Sequence, residues 1–177
     1  DSRGWGLTTK SAATADELAA IFEHDTTWTD TPTWETIREE VDTVEAEAAT
    51  GSYPQRHPPL STTADKLTVL AAPDNAESEL VDLINDTDEE LLVIQPSIGD
   101  RDYRLLEAAI DAADRGVEVR LLLSGSWYAE EENTALAERL RDRAADENVP
   151  LSVRVAEDNN RFGKIHAKGI VADDTAV

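Results

Sequence analysis

Short apolar stretches alternate with amphipathic stretches over the C-terminal two thirds of the chain. The runs at 91–95 and 117–123 are mostly apolar, which is typical of strands buried between layers of helices. Between them lies a stretch of helical periodicity that Gly116 closes. The predicted order is strand 67–71, helix 75–86, strand 91–95, helix 102–115, strand 117–123, helix 130–146, strand 151–155 and strand 164–172. This alternation predicts an α/β fold.

Two further helices are predicted in the N-terminal third. The first covers 14–23 and begins with a capping box, Thr14-Ala15-Asp16-Glu17, followed by Leu18, Ile21 and Phe22 on one face. The second covers 33–49, where Trp34, Ile37, Val41 and Val44 recur at helical spacing and belong to a core or an interface. Residues 51–59 are rich in proline and turn-forming residues, which indicates a linker.

The net charge of the chain is evidence about its habitat more than about its binding partners. Its 16 basic and 38 acidic residues give a formal net charge of −22, arginine outnumbers lysine, and cysteine and methionine are absent. Such a composition is typical of proteins from extreme halophiles, and at roughly 1 M salt the Debye length falls to about 3 Å, so carboxylates no longer repel one another strongly. The acidity therefore does not exclude nucleic acid as a partner. An ordinary acidic or disordered protein is the alternative, but the strands and capped helices argue against disorder.

Metal, disulfide and membrane chemistry receive no support from the residues present. Without cysteine there is no disulfide and no thiolate ligand, and His24, His57 and His166 have no metal-ligand spacing, so we expect no metal and no cofactor. No apolar run reaches about 18 residues, so this segment is not expected to span a membrane. The chain starts without Met or a signal peptide, which indicates a piece of a longer protein and leaves a cytoplasmic or an extracellular location open.

The segment from Lys164 to Asp173 is the one that carries candidate chemistry. On a strand, residues two positions apart share a face, so His166 and Lys168 project together while Ile165 and Ala167 point the other way. This arrangement pairs a nucleophile with a cation that can hold a phosphate. The spacing His-x-Lys-x4-Asp resembles the signature motif of the phospholipase D superfamily.

The resemblance implies a fold and a reaction. The fold is a mixed β-sheet flanked by helices on both faces, whereas a Rossmann fold is excluded because no Gly-x-Gly-x-x-Gly follows a predicted strand. The reaction is metal-independent, with His166 attacking phosphorus or protonating the leaving group through a phosphohistidine intermediate, and with Lys168 holding the phosphate. Asp173 lies seven positions from His166, an odd number, so it faces away from the pocket and receives a structural role. A satisfied histidine on a sheet face is the alternative for His166.

Other residues near this segment are candidates for substrate binding. Lys164, Arg161 and Arg154 give a local excess of positive charge, as a phosphate pocket requires, although exposed charges at strand ends explain them equally well. Asn159, Asn160 and the loop 124–128 follow strands on what is expected to be the same rim. Within that loop Trp127 or Tyr128 can stack on a base or lie against a lipid glycerol, or can simply pack. Arg56 and His57 in the linker are expected to be solvated.

A weaker resemblance lies at the N-terminus. Ser2-Arg3-Gly4-Trp5-Gly6-Leu7 and a helix ending in Phe22-Glu23-His24-Asp25 resemble the tail of a preceding repeat, although Gly4 stands where the family often has Glu. We therefore predict 1–25 as this tail, 26–63 as a helix with a proline-rich linker, and 64–177 as a second repeat truncated after its motif. The partner site is then a second repeat in the same chain or a homodimer mate.

The function implied by the resemblance is phosphodiester hydrolysis or phosphatidyl transfer. The substrate is nucleic acid or phospholipid, and a nuclease-like substrate is favoured because no membrane segment is in view. A lipid-acting phospholipase or cardiolipin synthase is one alternative. A catalytically inactive phosphate-binding or assembly module is the other. This fragment on its own is expected to be inactive, because the family mechanism needs two motifs.

Overall fold

A computed structural model describes residues 2–3, 6, 8–27, 31–38, 57–99, 103–157 and 164–177. The chain divides into two compact units. One consists of Asp1–Thr8 with Leu70–Val177, and the other consists of Thr9–Val69. The origin of residues 1–25 in a preceding repeat remains a prediction.

The unit Thr9–Val69 contains helix α1, Ala12–Thr26, and helix α2, Trp34–Ile37. The predicted capping box at 14–17 is wrong. The N-cap is Ser11, whose Oγ accepts the backbone N–H of Thr14 at 3.3 Å and lies 3.0 Å from Thr14 Oγ1, so Thr14 is already inside the helix. The predicted helix 33–49 forms over its first residues, and 39–50 lie outside the described residues.

The predicted strand 67–71 does not form. Asn75 Oδ1 accepts the backbone N–H of Ala71 at 2.7 Å, and Ala71 O accepts the backbone N–H groups of Asn75 and Ala76 at 2.9 and 3.1 Å. Local bonds from an asparagine compete with strand pairing in this way, and they turn the chain into helix α3, Ala76–Asn85.

The larger unit is built around a sheet of five strands. In chain order its elements after α3 are β2 (Glu90–Gln95), α4 (Tyr103–Asp114), β3 (Glu118–Gly125), α5 (Glu130–Glu147), β4 (Leu151–Glu157), β5 (Lys164–Ile165), β6 (Gly169–Ala172) and β7 (Thr175–Ala176), and β1 is Ser2–Arg3. The sheet order is β4-β3-β2-β6-β7. Strands β2, β3 and β4 are parallel to one another, β6 is antiparallel to β2, and β7 is antiparallel to β6. Strand β5 pairs in parallel with β1.

The main core lies between one face of this sheet and helices α3, α4 and α5. Strand residues at odd positions, such as Leu91, Val119 and Leu121, pack there against alanines and leucines of the helices. Residues of the opposite face, among them Ile94, form a second, smaller cluster with Ile165 and Ala167. The α/β class and the mixed sheet with flanking helices are thereby confirmed.

The predicted strand 164–172 is wrong in its continuity. It forms as two short strands because its two ends have different partners. Lys164–Ile165 pairs with β1, whereas Gly169–Ala172 pairs with β2 and β7. Residues 166–168 connect the two and belong to neither strand.

Candidate functional site

The His-x-Lys segment lies at the edge of the sheet where the parallel strands end. Gly169, the first residue of β6, pairs with Ile94 near the end of β2. The backbone N–H of Ile165 donates to Oγ of Ser124, the penultimate residue of β3, at 3.3 Å. His166 and Lys168 are therefore held between two contacts with the carboxyl ends of β2 and β3. In open α/β sheets this edge is where ligands bind.

Exposure alternates along the segment as it does along a strand. Lys164, His166 and Lys168 are exposed, while Ile165 and Ala167 are 7% and 4% exposed. The buried pair packs in the smaller cluster with Ile94. The three cationic or ionisable side chains consequently project to solvent on one side, although 166–168 are not in a regular strand.

Charge makes this row of side chains unusual. The chain has only four lysines, and two of them are Lys164 and Lys168. Within the described ranges neither lysine forms an ion pair or a hydrogen bond to a side chain, whereas Arg104, Arg120 and Arg143 are each paired with carboxylates. Their charge is available to an anion from solution.

Asp173 lies in the turn between β6 and β7 and serves the start of β2. Its carboxylate accepts the backbone N–H groups of Asp88, Glu89 and Glu90 at 3.0, 3.0 and 2.9 Å, and its own N–H donates to Glu90 O at 3.0 Å. The hydrogen bonds from Asp88 and Glu90 are the main reason that its pKa lies below the ordinary value. Its φ of 50° is in the left-handed region, which aspartate tolerates better than most residues.

A buried polar cluster lies directly beneath the segment. Ser124, Ser126 and Asn133 are 1%, 4% and 0% exposed. Asn133 Nδ2 donates to Ser124 O at 2.7 Å and to Pro96 O at 2.9 Å, and Ser124 Oγ lies 2.8 Å from Ser126 Oγ. The loop 124–128 is among the candidates predicted from the sequence, whereas Asn133 is not. Helical spacing could have revealed it, because Asn133 takes the first place of the buried row that continues with Leu136, Ala137 and Leu140.

Two aromatic side chains follow this cluster in the loop between β3 and α5. Trp127 is 91% exposed and Tyr128 is 43% exposed. Their ring centroids are 5.9 Å apart at an interplanar angle of 86°, an edge-to-face arrangement. Trp127 directly follows Ser126 of this cluster, and His166 directly follows Ile165, whose backbone N–H donates to Ser124 of the same cluster.

The remaining predicted residues are not all described. Arg161, Asn159, Asn160 and Arg56 lie outside the described residues, so their expected roles remain predictions. Arg154 is exposed on β4, where it pairs with Leu122, and His57 is exposed.

In the described part of the chain, no group of three or more histidine, aspartate or glutamate side chains could hold a metal ion. Nor does any helix in that part combine the length and the apolar character needed to cross a bilayer.

Comparison with known proteins gives one family match. The family model described as "Cardiolipin synthase, PLD-like domain" matches residues 80–177, which is more than half of the chain. No curated protein matches the sequence.

Among solved structures, three resemblances are weak in sequence and moderate in shape. TrmBL2, an archaeal chromatin protein, is 17% identical over 93% of this chain, with a TM-score of 0.46. Phosphatidylserine synthase from Haemophilus influenzae Rd KW20 is 16% identical over 59% of this chain (TM-score 0.45), and NucT from Helicobacter pylori is 21% identical over 59% (TM-score 0.44). The chain spans 52%, 27% and 65% of these three structures, respectively, which is less than two thirds of each.

Proposed function

Since the family model for the cardiolipin synthase, PLD-like domain matches residues 80–177, the chain belongs to the phospholipase D superfamily, and we propose that it supplies half of a metal-independent phosphodiesterase site. The observation that carries the proposal is the exposed pair His166 and Lys168 at the carboxyl edge of the parallel strands. An imidazole there can act as a nucleophile when it is neutral or as a general acid when it is protonated, and the adjacent ammonium can neutralise non-bridging phosphate oxygens.

The proposed reaction proceeds in two balanced steps. In the first, an imidazole nitrogen forms a bond to phosphorus while the bond from phosphorus to the leaving oxygen breaks, and a second histidine gives its proton to that oxygen. In the second, water or an alcohol attacks the phosphohistidine and releases the imidazole, and the second histidine takes back a proton. Hydrolysis results from water, and phosphatidyl transfer results from an alcohol. We propose that the second histidine comes from another repeat or from another copy of the chain.

Nucleic acid is the proposed substrate, with phospholipid as the second candidate. The supporting observation is Trp127, which is 91% exposed. It directly follows Ser126, a member of the buried cluster that also contacts Ile165. An exposed indole is suited to stacking on a base. A lipid glycerol can also lie against it, so the two substrates must be compared directly.

The test of the proposal is turnover of a phosphodiester by the full-length protein in the presence of EDTA. Turnover that persists with chelator supports the histidine mechanism. Activity that disappears with chelator and returns with a divalent ion contradicts it. Phosphate binding without any turnover identifies the inactive phosphate-binding module instead.

A further inference from the structure

The hydroxyl of Ser124 joins the buried cluster to strand β5, which precedes His166, by a hydrogen bond. Its Oγ accepts the backbone N–H of Ile165 at 3.3 Å and the backbone N–H of Ser126 at 3.3 Å. A hydroxyl oxygen has two lone pairs and one proton. With both lone pairs in use, the Ser124 proton is directed to Ser126 Oγ, 2.8 Å away. The Ser124 hydroxyl is therefore fixed in orientation.

The backbone of Ser124 is fixed as well. Asn133 on α5 donates to its carbonyl oxygen at 2.7 Å and to that of Pro96 at 2.9 Å. The N–H of Ser124 donates to Pro96 O at 3.3 Å. Asn133 of α5 and Pro96, which follows β2, thus hold the backbone of Ser124 at the end of β3. Ser124 is 1% exposed.

His166 needs such an anchor because it lies where the chain changes partners. Strand β5 ends at Ile165, and β6 begins only at Gly169. The Ser124 bond holds the backbone one residue before His166, and the pairing of Gly169 with Ile94 holds it three residues after. Together with the pairing of Ile165 with Arg3 of β1, the Ser124 bond holds the backbone on the side of His166 that the Gly169 pairing does not reach.

We propose that Ser124 is a positioning residue for His166, and this inference rests on the function proposed above. An in-line attack requires the imidazole nitrogen about 3–3.5 Å from phosphorus, and a misplacement of about 1 Å costs roughly a hundredfold in rate. Loss of the Ser124 hydroxyl should therefore lower kcat and leave KM nearly unchanged, because Lys168 still binds the phosphate.

The experiment compares Ser124→Ala with Ser124→Thr, which keeps a hydroxyl, and with Ser126→Ala, which removes a neighbouring buried hydroxyl but leaves the Ile165 contact. The expected result for Ser124→Ala is a kcat lower by roughly ten- to a hundredfold, faster hydrogen exchange of the Ile165 amide, and shifted or broadened imidazole signals of His166 in NMR spectra. Ser124→Thr should restore all three quantities toward the wild-type values. Ser126→Ala removes the acceptor of the Ser124 proton but keeps the Ile165 hydrogen bond, so it should change all three quantities less than Ser124→Ala does.

Two outcomes overturn the inference. One is unchanged Ile165 exchange and unchanged His166 signals in Ser124→Ala, and the other is an equal fall in kcat in Ser126→Ala. If Ser124→Ala does not fold by circular dichroism, Ser124→Cys replaces it, because a thiol has similar size and accepts hydrogen bonds only weakly. The NMR readouts need no turnover. An inactive wild-type protein would therefore refute the proposed function while the His166 signals still decide the role of Ser124.

Discussion

Oδ1 of Asp173 accepts the backbone N–H of Glu90 at 2.9 Å across 83 positions of sequence. The bond joins the turn after β6 to the first residue of β2, and two more amides bind the same carboxylate. The Asp of the His-x-Lys-x4-Asp motif therefore holds the two strands that lie beside the site in a fixed register. Its contribution is to the sheet at whose edge His166 lies.

The first prediction concerns this carboxylate and pH. Because its hydrogen bonds lower its pKa in the folded state, the stability that it contributes is present above the ordinary value of 3.8 and is lost as pH falls through the lowered pKa. Asp173→Asn keeps a residue that tolerates the left-handed conformation but removes the charge. We expect a lower Tm than that of wild type at neutral pH and convergence of the two values in acid.

Asp174→Asn is the matched control, because this neighbour carries the same charge and none of the three backbone contacts. Thermal unfolding followed by circular dichroism measures all three proteins across the pH range. A difference between Asp173→Asn and wild type that stays constant down to the lowest pH, or equal losses at both positions, would argue against the assigned role.

The second prediction concerns salt. With a net charge of −22, the folded chain should be destabilised when salt is removed, since the Debye length grows and the carboxylates repel one another. The measurement is the Tm in dilute buffer and in roughly 2 M KCl. We expect a clearly higher value in KCl. An unchanged Tm would remove the halophilic interpretation and would restore the acidity as an argument against nucleic acid.

The third prediction separates the two substrate classes. Trp127→Ala should weaken the binding of a single-stranded oligonucleotide, because loss of one stacked base costs about 1–3 kcal/mol, or roughly 5- to 150-fold in Kd. Trp34→Ala, which removes another exposed tryptophan, is the control. Binding to phospholipid vesicles is measured beside it. If Trp127→Ala impairs only vesicle binding, the phospholipid substrate replaces nucleic acid.

The fourth prediction is that residues 1–177 alone show little or no activity. The proposed mechanism uses two histidines, and this chain carries one His-x-Lys-x4-Asp motif. A symmetric dimer could supply the second, so the mass of the 1–177 chain in solution is determined together with its turnover. Turnover per molecule equal to that of the full-length protein would contradict the two-repeat arrangement and favour a homodimeric site.

The sequence pattern was sufficient for the elements whose signals are local. Gly116, with a φ of 98°, ends α4 where predicted, and the alternation of Ile165 and Ala167 with His166 and Lys168 appears as alternating burial. Partner choice was not predictable. The division of 164–172 depends on β1, a strand of two residues at the far end of the chain, which has no recognisable pattern.

The hydrogen-bond partners of buried polar residues could not be predicted from the sequence either. The sequence predicted a helix over 130–146, but not that Asn133 on this helix would bind the carbonyl groups of Pro96 and Ser124. Those bonds depend on how β2, β3 and α5 come together, which no local pattern encodes. Asn75 gives the opposite case, because its bond to Ala71 is local and overrides a strand that hydropathy alone favoured.

The central claim is that His166 performs the chemistry and Lys168 assists it. The measurement is the turnover of a chromogenic phosphodiester in EDTA by the full-length protein and by its His166→Ala, Lys168→Ala, His57→Ala and Lys66→Ala variants, the last two being exposed controls. We predict no detectable turnover for His166→Ala, because the covalent route is lost. Lys168→Ala should retain a residual rate, lower by roughly 10²–10³-fold, because only charge stabilisation is lost. The controls should match wild type, and turnover of His166→Ala equal to that of wild type would contradict the account.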